Sequence, residues 1–153
     1  MNMRALTLGL VAATAVSFAA FADGGPAPLS QEALLARPAS GAQAPFVLDV
    51  RTAEEFVAGH VPGALNIPHD QLAARLAEVP KDQDVVLYCR SGRRAGMAAE
   101  VLAANGYTRL AHLEGDMAAW LDQGRPVETP KDAAACVAAL KSGGDARQAC
   151  AAN

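Results

Sequence analysis

The run Val85-Val86-Leu87-Tyr88 and the residues that follow it constrain this chain more than any other stretch. Four apolar β-formers in succession predict a strand buried on both faces, the pattern of a parallel sheet flanked by helices. Ala95 to Ala104 predicts a helix, closed by Asn105-Gly106 with Gly106 as a left-handed cap. The connection Cys89-Arg90-Ser91-Gly92-Arg93-Arg94 therefore falls at the carboxyl end of a strand and the amino end of a helix. Backbone amides converge there and the helix dipole favours negative charge. Those amides, with the guanidinium groups of Arg90, Arg93 and Arg94, favour the thiolate of Cys89. An inert, space-filling cysteine sits in apolar surroundings instead, which three arginines and a glycine do not supply.

Strand and helix alternate on either side of this unit. Ser30 is a good N-cap for a short helix over Gln31 to Arg37, and Phe46 to Val50 predicts a strand. Thr52-x-x-Glu55 is a capping box that opens a short helix through Ala58, and Gly59 to Gly63 predicts a turn. A short strand over Leu65 to Ile67 precedes an amphipathic helix from Asp70 to Val79, with Leu72, Leu76 and Val79 on one face. Beyond the Cys89 unit come a strand over Thr108 to Leu113 and a helix from Met117 to Gln123, with Asp116 as its N-cap. The alternation predicts an α/β domain with a largely parallel central sheet and helices on both faces, with room for mixed pairing at an edge. Asp49, Arg51 and Glu55 are expected to serve capping and a local, exposed ion pair worth about 0–1 kcal/mol. In the functional alternative, Asp49 and Arg51 brace the cysteine loop from the neighbouring strand end. His112 alternates outward or packs at a strand end, with nothing to mark it as a ligand, and Trp120 is expected to anchor the core.

Three motifs in order resemble the rhodanese (sulfurtransferase) domain: Leu48-Asp49-Val50-Arg51 through Gly59-His60-Val61-Pro62-Gly63-Ala64, the loop Cys89-x-x-Gly92-x-Arg94, and Leu113-Glu114-Gly115-Asp116-x-x-Ala119-Trp120. The resemblance covers about residues 29–128, and three ordered motifs are more specific than one loop. It implies a persulfide-forming Cys89, substrate contacts from Arg90, Ser91, Gly92, Arg93 and Arg94, and a turn-stabilising rather than catalytic role for His60. The chain departs from the family where Ala95 replaces a frequent serine and Asp116 replaces the second glycine of Gly-Gly-x-x-Ala-Trp.

The flanks carry separate expectations. Residues 1–22 combine Arg4, a short apolar run and Ala20-Phe21-Ala22, the pattern of a signal peptide cleaved after Ala22; the run is too short and alanine-rich for a stable membrane anchor. Residues 23–28 are expected to form a flexible lead-in. Cleavage would remove Arg4 as the segment's sole charge, taking the net charge from −3 to −4. That balance argues against nucleic acid as a partner. Export predicts an oxidising compartment, most simply the periplasm of a Gram-negative bacterium. Residues 129–153 are expected to form a C-terminal helical hairpin, with Thr129 at the N-cap and Pro130 at N1. A Cys136–Cys150 disulfide is expected to staple it; the alternative is that one of them resolves Cys89.

The resulting functional expectation is sulfur transfer from a small anionic donor such as thiosulfate to a thiol or cyanide acceptor. It requires neither a metal nor an organic cofactor, and the oligomeric state stays open. Two alternatives stand beside it. One is a non-catalytic sulfur-carrier or anion- or protein-binding module. The other is a cysteine-dependent phosphatase or arsenate reductase, for which Cys-x5-Arg is disfavoured because Ala95 lies six residues after Cys89.

Overall fold

The computed structural model describes residues 25–37, 44–143, 146 and 148–151; the expected signal peptide over residues 1–22 lies outside them. Five strands, β1 (Ala27–Leu29), β2 (Phe46–Asp49), β3 (Leu65–Asn66), β4 (Val85–Tyr88) and β5 (Leu110–Leu113), form one sheet in the order β1-β5-β4-β2-β3. Every pairing is parallel, including those at both edges. The helices are α1 (Gln31–Ala36), α2 (Ala53–Val57), α3 (Arg93–Ala104), α4 (Asp116–Asp122) and α5 (Ala133–Ser142).

β4 lies at the centre of the sheet, and its four residues are buried as the apolar run requires. Its side chains alternate between two cores. Val85 and Leu87 pack with Leu48, Ile67, Leu72 and the α3 residues Ala98 and Leu102. Val86 and Tyr88 pack with Leu34 of α1 and with Met117 and Trp120 of α4. Trp120 is fully buried and donates its indole N–H to the Pro126 carbonyl at 2.8 Å. A third, smaller core joins Ala53 and Phe56 of α2 to Cys136 and Leu140 of α5 and to Ala146. Cys136 and Cys150 are disulfide-bonded, with Cα atoms 4.7 Å apart. The tail is thus fastened to α2 and not merely appended.

Four local expectations are corrected. Ala27 and Pro28, placed in a flexible lead-in, belong to β1, which pairs with β5. The helix over Asp70 to Val79 is replaced by two 3-10 turns, Leu72–Ala74 and Leu76–Glu78. The Leu76 carbonyl would need the N–H of residue 80 to continue an α-helix, and residue 80 is proline. The Tyr107 hydroxyl takes that place, 2.7 Å from the Leu76 carbonyl and 2.9 Å from that of Val79. The N-cap of α4 is Gly115, not Asp116; that of α5 is Asp132, whose side chain accepts the Ala135 N–H. Among the described residues, no helix is long and apolar enough to cross a membrane.

Candidate active site

Cys89 follows the last residue of β4, and α3 begins four positions later, at Arg93. The turn between them depends on Gly92, whose φ of 97° is open to glycine at little cost. A Cβ there would also lie 3.3 Å from both the Asp116 carboxylate and the His112 ring. With this geometry the Gly92 N–H donates to Cys89 Sγ at 3.1 Å. Cys89 is the chain's one free cysteine and is 1% exposed. Burial alone would suit an inert thiol, but this sulfur has a backbone donor, and the Arg94 side chain interacts with it as well.

The arginines of the loop divide by environment. Arg90 and Arg93 are exposed and, among the described residues, form no ion pair. Arg94 is half-buried and clamps Glu55 through two bonds, Nη1 to Oε2 at 2.6 Å and Nη2 to Oε1 at 2.9 Å. The hydrogen bonds from Arg94 hold the Glu55 carboxyl down at about 2, well below the usual carboxylate range. Glu55 also closes the capping box of α2, accepting the Thr52 N–H while Thr52 Oγ1 accepts its own. One carboxylate thus starts a helix and steadies an arginine 39 residues away. Ser91 is exposed within the same loop.

Asp49 and Arg51 form a buried pair, contrary to the exposed one expected. Arg51 donates Nη2 to Asp49 Oδ2 at 2.6 Å and to the Gly59 carbonyl at 2.9 Å. The Tyr88 hydroxyl donates to Asp49 Oδ2 at 2.6 Å and accepts the Val61 N–H at 3.1 Å. Burial, with the Asp49 charge beside it, pushes the Tyr88 phenol well above its ordinary range. Asp49 and Arg51 therefore reach the cysteine through Tyr88, the residue before it, and not by direct contact with the loop. His60 is buried, stacks on Phe56 at a ring separation of 3.7 Å and donates Nδ1–H to the Phe56 carbonyl at 3.0 Å. Burial pushes its basicity below the ordinary histidine range, consistent with a structural place in the turn.

Two residues at the site, His112 and Asp116, were read from the sequence as a strand-end residue and a helix N-cap, not as site residues. Asp116 Oδ1 accepts the Cys89 N–H at 2.7 Å, and its Oδ2 lies 2.9 Å from His112 Nε2. The four-residue spacing of His112 and Asp116, and the replacement of a family glycine by Asp116, were the available signals. Among the described residues no cluster of three or more His, Cys, Asp or Glu side chains could hold a metal.

Comparison with known proteins places this geometry. Residues 30–123 match the model of the rhodanese-like domain. The chain is 41% identical over 86 residues to a sulfurtransferase of Allochromatium vinosum, covering 56% of this chain and 80% of that protein. It is also 41% identical over 70 residues to the thiosulfate sulfurtransferase PspE of Escherichia coli, covering 44% of this chain and 67% of that one. In two further relatives the matched segment spans 59% and 37% of the protein's own length. The crystal structure of the Alr3790 protein from Anabaena sp. superposes with a TM-score of 0.64 at 26% identity, covering 78% of this chain and 93% of that one. With the matched model spanning more than half of its length and the cysteine loop at the end of the central strand, the chain belongs to the rhodanese-like domain family.

Proposed function

We propose that the protein is a sulfurtransferase that carries sulfane sulfur as a persulfide on Cys89. The observation that carries this reading is the Gly92 N–H aimed at the Sγ of the chain's single free thiol, with Arg94 beside it. Thiolate and persulfide are both anionic, and a preorganised donor and cation stabilise each without reorganisation. The Cys89 thiolate attacks the outer sulfur of thiosulfate; the bond from that sulfur to the sulfonate sulfur breaks and sulfite leaves with its electron pair. The persulfide anion then gives its outer sulfur to an acceptor thiolate or cyanide, and the Cys89 thiolate returns. Arg90 and Arg93 meet the dianionic donor, while Arg94, held by Glu55, faces the sulfur of Cys89. Sulfurtransferase relatives of 41% identity support the reaction class.

We also propose export to an oxidising compartment, a reading supported by the Cys136–Cys150 disulfide and by the apolar run from Ala5 to Phe18 with Ala20-Phe21-Ala22 after it. A mature chain recovered from the periplasm and starting at Asp23 would establish it.

Intact-mass spectrometry before and after thiosulfate tests the reaction. The expected result is a gain of roughly 32 Da that is absent from Cys89→Ala. Absence of any sulfur uptake from thiosulfate or polysulfide by free Cys89 would overturn it.

A further inference from the structure

Asp116 has an unusual position for a carboxylate. It is 3% exposed and adopts a φ of 53°, the sole positive value at a non-glycine among the described residues. A non-glycine side chain held in this region costs free energy, and such strain gathers at functional sites. Here the strain is matched by two bonds that no helix cap requires: Oδ1 accepts the Cys89 amide at 2.7 Å and Oδ2 meets His112 Nε2 at 2.9 Å. The same carboxylate and the same ring flank Gly92, whose amide donates to Cys89 Sγ. A buried negative charge so close to a thiol opposes ionisation of that thiol unless a cation cancels it.

We propose that His112 and Asp116 form a positioning pair for Cys89, in which the imidazolium holds and neutralises the carboxylate that anchors the Cys89 amide. The protonation of His112 then sets how readily Cys89 forms its thiolate. This deepens the sulfur-transfer reading and rests on Cys89 as its nucleophile. The elements packed against β5 are β1, β4 and α3, and α3 brings Arg93 and Arg94 in its first turn. Strand neighbours Pro28 of β1 and Leu87 of β4 do not titrate, Gly92 approaches from the loop, and Asp116 of α4 is the charge that acts on it. The hydrogen bond from Asp116 raises the basicity of His112 above the ordinary histidine value, against partial burial. The imidazolium is therefore present below that raised value and lost as the pH climbs through it.

Alkylation of Cys89 by iodoacetamide, followed against pH in the intact chain, reads its thiolate without requiring turnover. The disulfide leaves no other thiol to react. His112→Gln keeps an amide donor for Asp116 and removes the charge; it should slow alkylation near neutral pH by about tenfold. Its pH profile should reduce to a single titration, whereas the wild-type profile is broadened by the coupled imidazole. Asp116→Gly suits the positive φ, and adding it to His112→Gln should restore most of the lost rate, because the opposing charge has gone. Matching profiles for wild type and His112→Gln would overturn the proposal, as would a double variant as slow as His112→Gln alone. Sulfur loading measured on the same samples separates the two readings. If alkylation follows the pattern and no form takes up sulfur, the pair stands and the sulfur-transfer reading fails.

Discussion

Two arginine–carboxylate pairs flank the cysteine, and they differ in almost everything except chemistry. Arg51 and Asp49 are 6% and 0% exposed, sealed beneath Tyr88 and the turn at Gly59; Arg94 and Glu55 are 23% and 31% exposed, at the mouth of the loop. In the first, every bond points to another buried group, so the pair fixes the end of β2 and the start of the cysteine turn. In the second, the guanidinium is held by Glu55, acts electrostatically on the Cys89 side chain and remains within reach of solvent. Burial, more than distance, separates a pair that holds a fold from one that serves a site. The net worth of each follows: removing one partner of a buried pair leaves an uncompensated charge, whereas an exposed pair exchanges its partner for water.

That contrast can be broken from the sealed side first. Asp49→Ala strands the Arg51 guanidinium and the Tyr88 hydroxyl, and should lower unfolding free energy by about 3–5 kcal/mol in chemical denaturation. A loss below about 1 kcal/mol would put the two pairs in one class. Next in size is the tail that supports α2, the helix carrying Glu55. Replacing Cys136 and Cys150 together by alanine should cost roughly 2–4 kcal/mol, read in the same way under oxidising conditions.

On the open side, effects on activity should exceed effects on stability. Glu55→Gln should cost no more than about 1 kcal/mol at neutral pH. The sign follows from the depressed carboxyl: the contribution of Glu55 is present above its ordinary value of 4.5 and is lost as the pH falls toward about 2. Wild type and Glu55→Gln should therefore converge in stability at the acid end. Freed from its carboxylate, Arg94 should also lower the KM for thiosulfate, by about twofold if roughly half a kcal/mol of attraction is regained. Smallest of all in stability, Arg93→Ala should stay within about 0.5 kcal/mol of wild type while raising the thiosulfate KM. An unchanged KM there would move the donor contact to Arg90.

Much of the site could be read from the chain because its parts are consecutive. The apolar run ending at Tyr88, the cysteine, the glycine and the helix beyond it lie within about twenty residues, and each follows from local rules of burial and turn formation. The capping box at Thr52 and Glu55, the left-handed Gly106 and the pairing of Cys136 with Cys150 were legible for the same reason. Where local rules failed, a distant partner had intervened. The spacing of Leu72, Leu76 and Val79 fits an α-helix, yet Pro80 and the Tyr107 hydroxyl favour two tighter turns. Asp116 suits an N-cap by its position, but its carboxylate meets the Cys89 amide across 27 residues. Ala27 and Pro28 lack any periodicity of their own; β5 makes them a strand.

The sequence by itself determined the alternation of strand and helix, the placing of Cys89 at the head of α3 and the charge of its loop, since these depend on residues in immediate succession. Only the tertiary structure decided which charges meet. It buried Asp49 with Arg51, turned Glu55 toward Arg94, and set His112 and Asp116 beneath the cysteine. Parallel strands bring their carboxyl ends to one edge of the sheet, so residues tens of positions apart become neighbours there, and the strength of each ion pair depends on the water that the surrounding core excludes.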